Sequence, residues 1–121
     1  MNLGYFAPLP PLASGVADYA ARMLRGLSQY GSVLPNRPGD CNLYHVGNNR
    51  LHAEIYARAI AEPGIVLLHD AVLHHLLIGC FEQARYIEEF AYNYGAWVED
   101  LARDLWRSRA RAMSDPRYFR Y

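Results

Sequence analysis

The amino-acid sequence predicts an α/β fold, an open sheet of about three parallel strands flanked by helices, with a helical extension at the C-terminal end. Short apolar runs that suit strands alternate with longer segments in which apolar residues recur at helical spacing. The resulting order, β-α-β-α-β-α-α, is typical of parallel strands joined by right-handed crossovers. With 121 residues, of which 52% are hydrophobic, the chain has room for one domain with a core.

The first strand candidate covers residues 2–7, and three prolines close behind it prevent both a helix and a longer strand. Ser14 is a typical N-cap residue, so a helix is expected from Gly15 onward. Apolar residues at helical spacing give this helix one buried stripe, formed by Val16, Ala20, Met23 and Leu27. Residues 28–40 are rich in glycine and proline and predict a loop.

The second strand candidate covers residues 42–46, and the Gly-Asn-Asn sequence at 47–49 supplies a turn and a helix cap. The helix that follows ends before a Pro-Gly pair. Residues 65–68 then form an uninterrupted aliphatic run, which predicts a central strand covered on both faces.

Two helices are predicted after the third strand, a short one at residues 72–81 and a longer amphipathic one. The apolar stripe of the longer helix consists of Ile87, Phe90, Tyr94, Trp97, Leu101 and Leu105.

Charge and hydropathy narrow the range of partners. Twelve basic and twelve acidic residues cancel, which removes the electrostatic argument for nucleic acid. The N-terminus lacks the pattern of a signal peptide, and no apolar run reaches the roughly 18 residues of a membrane span, so we expect a cytoplasmic protein. The C-terminal stretch is locally basic through Arg103, Arg107, Arg109, Arg111, Arg117 and Arg120.

Open parallel sheets bind ligands outside the carboxyl ends of their strands, where turns at residues 10–15, 45–49 and 69–75 are expected. Gly15 would let backbone N–H groups at a helix N-terminus approach a phosphate or a sugar hydroxyl, although a tight turn also explains a glycine.

His45, Asn48 and Asn49 in the second turn have two interpretations. Their side chains suit hydrogen bonds to sugar hydroxyls, while asparagine equally suits a cap or a left-handed turn.

The third turn supports two chemistries. As metal ligands, His69 and Asp70 would act with His74 or His75, as in an HD-type metal-dependent phosphohydrolase, but that doublet belongs on a helix and here it ends a strand. As a sugar site, His69 would be a hydrogen-bonding group at a strand tip, with Asp70 orienting it or capping the next helix. In a purely structural interpretation, Asp70 only caps and the two later histidines pack at a helix surface.

Together these turns resemble a known family. Residues 5–11 (Tyr-Phe-Ala-Pro-Leu-Pro-Pro) and 14–19 (Ser-Gly-Val-Ala-Asp-Tyr) resemble the start of glycosyltransferase family 4 proteins, retaining enzymes of the GT-B fold. Residues 44–49 (Tyr-His-Val-Gly-Asn-Asn) and 66–75 resemble later blocks of one branch of that family, in the same order. The resemblance spans nearly the whole chain.

The resemblance implies a cleft between two Rossmann-like domains, the N-terminal one holding the acceptor and the C-terminal one the nucleotide-sugar. His69 matches the catalytic histidine that faces the transferred sugar and stabilises the transition state by hydrogen bonding. Gly15 matches the glycine-rich loop near the donor phosphates. The other expected substrate-binding residues are His45, Asn48, Asn49 and Asp70. The family implies no catalytic metal and no cofactor, since the nucleotide-sugar is a substrate.

The sequence departs from the family in length. The family spends more chain between the first helix and the Tyr-His-Val-Gly-Asn-Asn block, and residues 1–121 contain no nucleotide-sugar domain. We therefore expect residues 1–121 to be a single, incomplete GT-B N-terminal-like domain that is inactive alone. Its expected partners are a nucleotide-sugar-binding domain or subunit and a sugar or lipid-linked acceptor.

Two further expectations concern surfaces. Open sheet edges predict association with other copies of the chain. The alternative function is that of a non-catalytic α/β interaction module derived from the same scaffold. The arginine-rich C-terminal helix suits peripheral contact with an anionic membrane, as in some relatives, or is simply a solvated face.

Overall fold

The structure is a computed structural model that describes all 121 residues. The chain divides into two units, Met1–Ala71 and Val72–Tyr121, each with its own hydrophobic core. The first unit contains the whole sheet and the second is entirely helical, so the predicted α/β class and the helical C-terminal extension are confirmed.

The sheet consists of four parallel strands in the order β2-β1-β3-β4. They are β1 (Asn2–Phe6), β2 (Ser32–Pro35), β3 (Cys41–Val46) and β4 (Ile65–Leu68). About three strands were expected, and the extra one, β2, lies inside the segment predicted as a loop. As a four-residue edge strand, β2 tolerates the proline at its end. Because the surrounding sequence is rich in proline, it favoured a loop and this strand was not predicted.

The connection from β2 to β3 is only five residues long, at 36–40, and it crosses directly over β1. A Cβ atom on Gly4 would lie 2.7 Å from the backbone nitrogen of Gly39, so both positions need glycine. The Asp40 N–H donates to the carbonyl oxygen of Asn2 at 2.8 Å. Close backbone contact therefore replaces the crossover helix that parallel strands usually require.

Two helices cover opposite faces of the sheet. Helix α1 (Gly15–Leu27) lies on the face that carries Tyr5 and Leu43, and α2 (Ala53–Ala61) packs against β3 on the face that carries Phe6 and Tyr44. The predicted N-cap of α1 is confirmed, because the Ser14 hydroxyl oxygen accepts from the backbone N–H of Ala17 at 3.0 Å. The core under α1 also includes Leu3, Leu9, Ala20, Met23, Leu24, Leu27, Val33 and Leu67.

The prediction that residues 65–68 form a central, covered strand is wrong. Strand β4 is at the edge of the sheet, and Ile65, Val66 and Leu68 are 56%, 51% and 52% exposed. Only Leu67 packs into the core of the first unit. The aliphatic run reflects a strand suited to burial on both faces, but no further element of the unit covers it.

The second unit contains α3 (His74–Cys80), α4 (Gln83–Tyr94) and α5 (Glu99–Ser108). The single long helix predicted here is interrupted at Gly95, whose positive φ of 95° ends α4. Its core is formed by Tyr86, Ile87, Phe90, Val98, Ala102, Leu105, Ala112 and Tyr118. No helix in either unit has the length and apolar composition needed to cross a membrane.

Candidate functional site

The strand order creates a topological switch point between β1 and β3. From β1 the chain proceeds through α1 to β2 on one side, whereas β3 and β4 lie on the other side. Since all four strands are parallel, the turns after β1, β3 and β4 meet at one edge, as the sequence predicted. A crevice outside the carboxyl ends at such a point is where open α/β sheets bind ligands.

A pair of histidines occupies this edge. His45 is the penultimate residue of β3, and His69 follows β4 directly, with its backbone N–H donating to the carbonyl of Val46 at 2.8 Å. Their side chains are hydrogen-bonded, because His45 Nδ1 and His69 Nε2 lie 2.9 Å apart. The rings are stacked, with centroids 5.1 Å apart and an interplanar angle of 22°. Two residues that were predicted separately thus form one hydrogen-bonded pair.

His52 is a third member of the cluster, and it was not predicted as a site residue. It ends a 3-10 helix, Arg50–His52, and its ring is fully buried. Its Nδ1 donates to the carbonyl oxygen of His45 at 2.8 Å. A Cβ atom on Gly47 would lie 2.8 Å from His52 Nε2, so this glycine makes room for the imidazole. The available signal was a histidine three residues after the predicted helix cap at Asn49.

Two tyrosines complete the surroundings of the pair, and neither was predicted as a site residue. Tyr19 in α1 contacts the ring of His69 edge-on, with centroids 5.4 Å apart, and is half-exposed. Tyr5 is buried 4.9 Å from the ring of His45, and its hydroxyl donates to the carbonyl of Ala20 at 2.8 Å. An apolar aromatic surface therefore borders a polar pair.

Burial keeps the pair uncharged near neutral pH. Desolvation is the main cause that lowers the pKa of His45 to about 4, and the neighbouring His69 and His52 contribute to this shift. Desolvation also lowers the pKa of His69, with His52 adding to the effect and Asp70 opposing it. A neutral imidazole pair offers hydrogen-bond donors and acceptors without a net charge.

Asp70 joins two turns of the site. Its carboxylate accepts from the backbone N–H of Asn48 at 2.7 Å, which ties the turn after β4 to the turn after β3. The alternative in which Asp70 caps the next helix is wrong, since the N-cap of α3 is Leu73 and no side chain caps that helix. Asn49 does cap, as predicted, because its side-chain oxygen accepts from the backbone N–H of Leu51 at 2.9 Å.

Gly15 opens α1 at this edge and is exposed. The tight-turn explanation for this glycine is wrong, because its φ is not positive and an added Cβ would meet no atom within 4 Å. Neither the backbone nor the packing requires glycine here. The space above it remains open to a ligand at a helix N-terminus.

The remaining histidines of the predicted third turn belong to the second unit. His74 is buried rather than at a helix surface, with Nε2 2.7 Å from the hydroxyl of Tyr86. His75 Nε2 donates to the carbonyl of Ala112 at 3.2 Å. No group of three or more His, Cys, Asp or Glu residues is placed to hold a metal ion.

Comparison of the chain with models of protein families, with curated proteins and with solved structures found no match. The geometry of the sheet edge is therefore the basis for a functional hypothesis. A few convergent polar groups beside an aromatic surface, at a topological switch point, suit a small polar ligand such as a sugar.

Proposed function

We propose that this chain is the acceptor-side part of a retaining glycosyltransferase, which transfers a sugar from a nucleotide-sugar donor to an acceptor. One observation carries the proposal: His69 lies at the carboxyl end of a parallel strand, paired with His45 and uncharged at neutral pH. A neutral, oriented imidazole at this place suits hydrogen bonding to a sugar as charge develops on it.

The surrounding residues have consistent roles under this proposal. The open space above Gly15 lets the donor phosphates approach the first turn of α1. The ring of Tyr19 borders the sugar, while the bond between Asp70 and Asn48 holds two turns of the site together. A nucleotide-sugar-binding domain or subunit would complete the cleft, so the chain alone would bind sugar weakly and transfer none.

A sugar titration tests the proposal on the chain itself. The ¹⁵N-labelled protein is titrated with methyl α-glucopyranoside and methyl α-mannopyranoside, and its backbone amide signals are followed by NMR. We expect saturable shifts around residues 15–19, 45–49 and 69–70, with a Kd of about 1 mM or weaker because the proposal assigns only one side of the cleft to this chain.

Two variants make the titration specific. His69→Ala should abolish the shifts, whereas His75→Ala, a matched histidine variant in the second unit, should leave them unchanged. Shifts that are absent, that cluster elsewhere, or that persist in His69→Ala would contradict the proposal.

A non-catalytic α/β interaction module is the second candidate, and the exposed aliphatic side chains of edge strand β4 favour it. The histidine pair would then be structural, and β4 would bind another chain. The coding sequence immediately downstream distinguishes the two hypotheses. A nucleotide-sugar domain encoded there, which restores transfer when it is co-expressed with this chain, supports the enzyme; its absence, together with a silent sugar titration, supports the module.

A further inference from the structure

We infer that His45 sets the tautomer of His69: His45 donates from its Nδ1–H to His69 Nε2, which leaves His69 with its own proton on Nδ1. This inference deepens the proposed function. It rests on that function only for the role of the Nδ1–H of His69 in binding a ligand. Each buried imidazole N–H needs an acceptor, and this requirement fixes the tautomers of the cluster.

His52 has a fixed tautomer. Its Nδ1 faces the carbonyl oxygen of His45 at 2.8 Å, and a carbonyl oxygen can only accept, so the proton of His52 is on Nδ1. Its Nε2 is then a bare lone pair, buried without a partner. His52 therefore contributes one unsatisfied acceptor and no unsatisfied donor to the cluster.

His45 carries its proton on Nδ1 for the same reason. Its Nε2 is also buried without a partner, so a proton there would be an orphaned donor. Buried N–H groups without partners are rarer in proteins than buried acceptors that lack one. With the proton on Nδ1, His45 satisfies its only donor by bonding to His69 Nε2, 2.9 Å away.

The tautomer of His69 follows from that of its partner. Since Nε2 accepts, a neutral His69 carries its proton on Nδ1. Protonating Nε2 as well would require His45 to accept through Nδ1, which would force the proton of His45 onto its buried Nε2. The pair therefore resists proton uptake, in agreement with the lowered pKa of both rings.

The fixed tautomer of His69 determines which ligand groups it can bind. Through Nδ1–H, His69 acts as a hydrogen-bond donor to an oxygen, such as a sugar hydroxyl or a phosphoryl oxygen, and not as a general base. His45 is a positioning residue, because its ring is fully buried and acts on a ligand only through His69.

The ¹⁵N chemical shifts of the imidazole nitrogens test this in the full chain at neutral pH, without any sugar present. The chain has five histidines, and His69→Ala assigns the signals of His69. We expect the shift of a protonated nitrogen for Nδ1 of His69 and that of an unprotonated nitrogen for Nε2. A proton on Nε2 in the wild-type protein would overturn the inference.

Variants of His45 test its positioning role. His45→Asn places an amide nitrogen where Nδ1 lies, so the Nδ1–H tautomer of His69 should persist. His45→Phe keeps a ring of similar size but removes the donor, so the two nitrogen shifts of His69 should move toward each other as both tautomers become populated. An unchanged spectrum in His45→Phe would contradict the role of His45, and His45→Leu replaces that variant if it does not fold.

The outcomes separate this inference from the proposed function. An Nδ1–H tautomer combined with no sugar-induced shifts would leave the inference intact and refute the glycosyltransferase proposal. Sugar-induced shifts combined with an Nε2–H tautomer would do the reverse.

Discussion

At the residue scale, two glycines at the site edge have opposite reasons for being glycine. Gly47 lies against the imidazole of His52, so its hydrogen atom is what allows the buried ring to approach the turn after β3. Gly15 has no neighbour that a side chain would meet. The first glycine therefore maintains the fold around the histidines, and the second leaves space at a helix N-terminus.

Substituting each glycine by alanine should separate these roles. In Gly47→Ala the new methyl group would displace His52 and its bond to the His45 carbonyl, which should lower the free energy of unfolding by about 1–3 kcal/mol. In Gly15→Ala the free energy of unfolding should change by less than about 1 kcal/mol. A small increase is expected because alanine reduces the entropy of the unfolded chain. Urea titrations give both values, and equal effects would show that the two sites do not differ.

The individual site histidines His45 and His69 could be predicted from the sequence, but their pairing could not. Both are at strand ends, which short-range patterns reveal. Their contact depends on β3 pairing with β4 in the register Val46 opposite Leu68, which places residue 69 beside the end of β3. Tyr19 and His52 were missed for the same reason, since only the packed structure brings them to the pair.

At the scale of elements, the free edge of β4 is the least satisfied part of the first unit. Its aliphatic side chains are about half-exposed, and its outer backbone groups have no neighbouring strand. Exposed apolar edge strands promote association, and natural proteins usually protect them with charges. The chain should therefore associate through β4 in the absence of a covering domain.

A charge at the edge tests this association. Val66→Lys should shift the protein from associating species to monomer in sedimentation velocity over a range of concentrations, because a lysine disfavours pairing at an edge. The control is Gln29→Lys, an equal change in charge at an exposed position after α1. Equal sedimentation of the wild-type protein and Val66→Lys would exclude β4 as the contact surface.

The break between α4 and α5 shows why the longer predicted helix was wrong. Apolar residues before and after Gly95 fit one helical period, and both segments contribute to a single core. The positive φ of Gly95 nevertheless ends α4, and Trp97 in the predicted buried stripe is 85% exposed. Periodicity identifies the buried faces of helices, whereas backbone angles decide where one helix ends.

At the scale of the whole molecule, each unit buries one histidine with a strongly lowered pKa. His45 in the first unit and His74 in the second both have a pKa of about 4, and burial is the main cause in each. The ordinary value is 6.5, so between pH 6.5 and 4 the unfolded chain binds protons that the folded chain does not. The stability that depends on these two uncharged histidines is therefore complete above pH 6.5 and is lost as the pH falls toward 4.

Acidification should destabilise both units, by the order of 1–3 kcal/mol for each histidine. Both tryptophans, Trp97 and Trp106, are in the second unit, so their fluorescence in urea titrations at pH 7 and pH 5 reports its unfolding. His74→Phe should flatten the pH dependence of this signal, while His45→Phe should flatten that of the first-unit amide signals in NMR. A pH-independent midpoint in the wild-type protein would contradict both pKa shifts.

The sequence by itself determined the parallel α/β class, the N-cap at Ser14, the cap at Asn49 and the turns that carry His45, His69 and Gly15. These are local features, because capping, periodicity and turn chemistry act over a few residues. Only the tertiary structure decided that β4 is an edge strand, that residues 36–40 cross over β1, and that three histidines form a buried cluster at the switch point. Strand order, register and burial depend on contacts between distant segments, which local patterns do not specify.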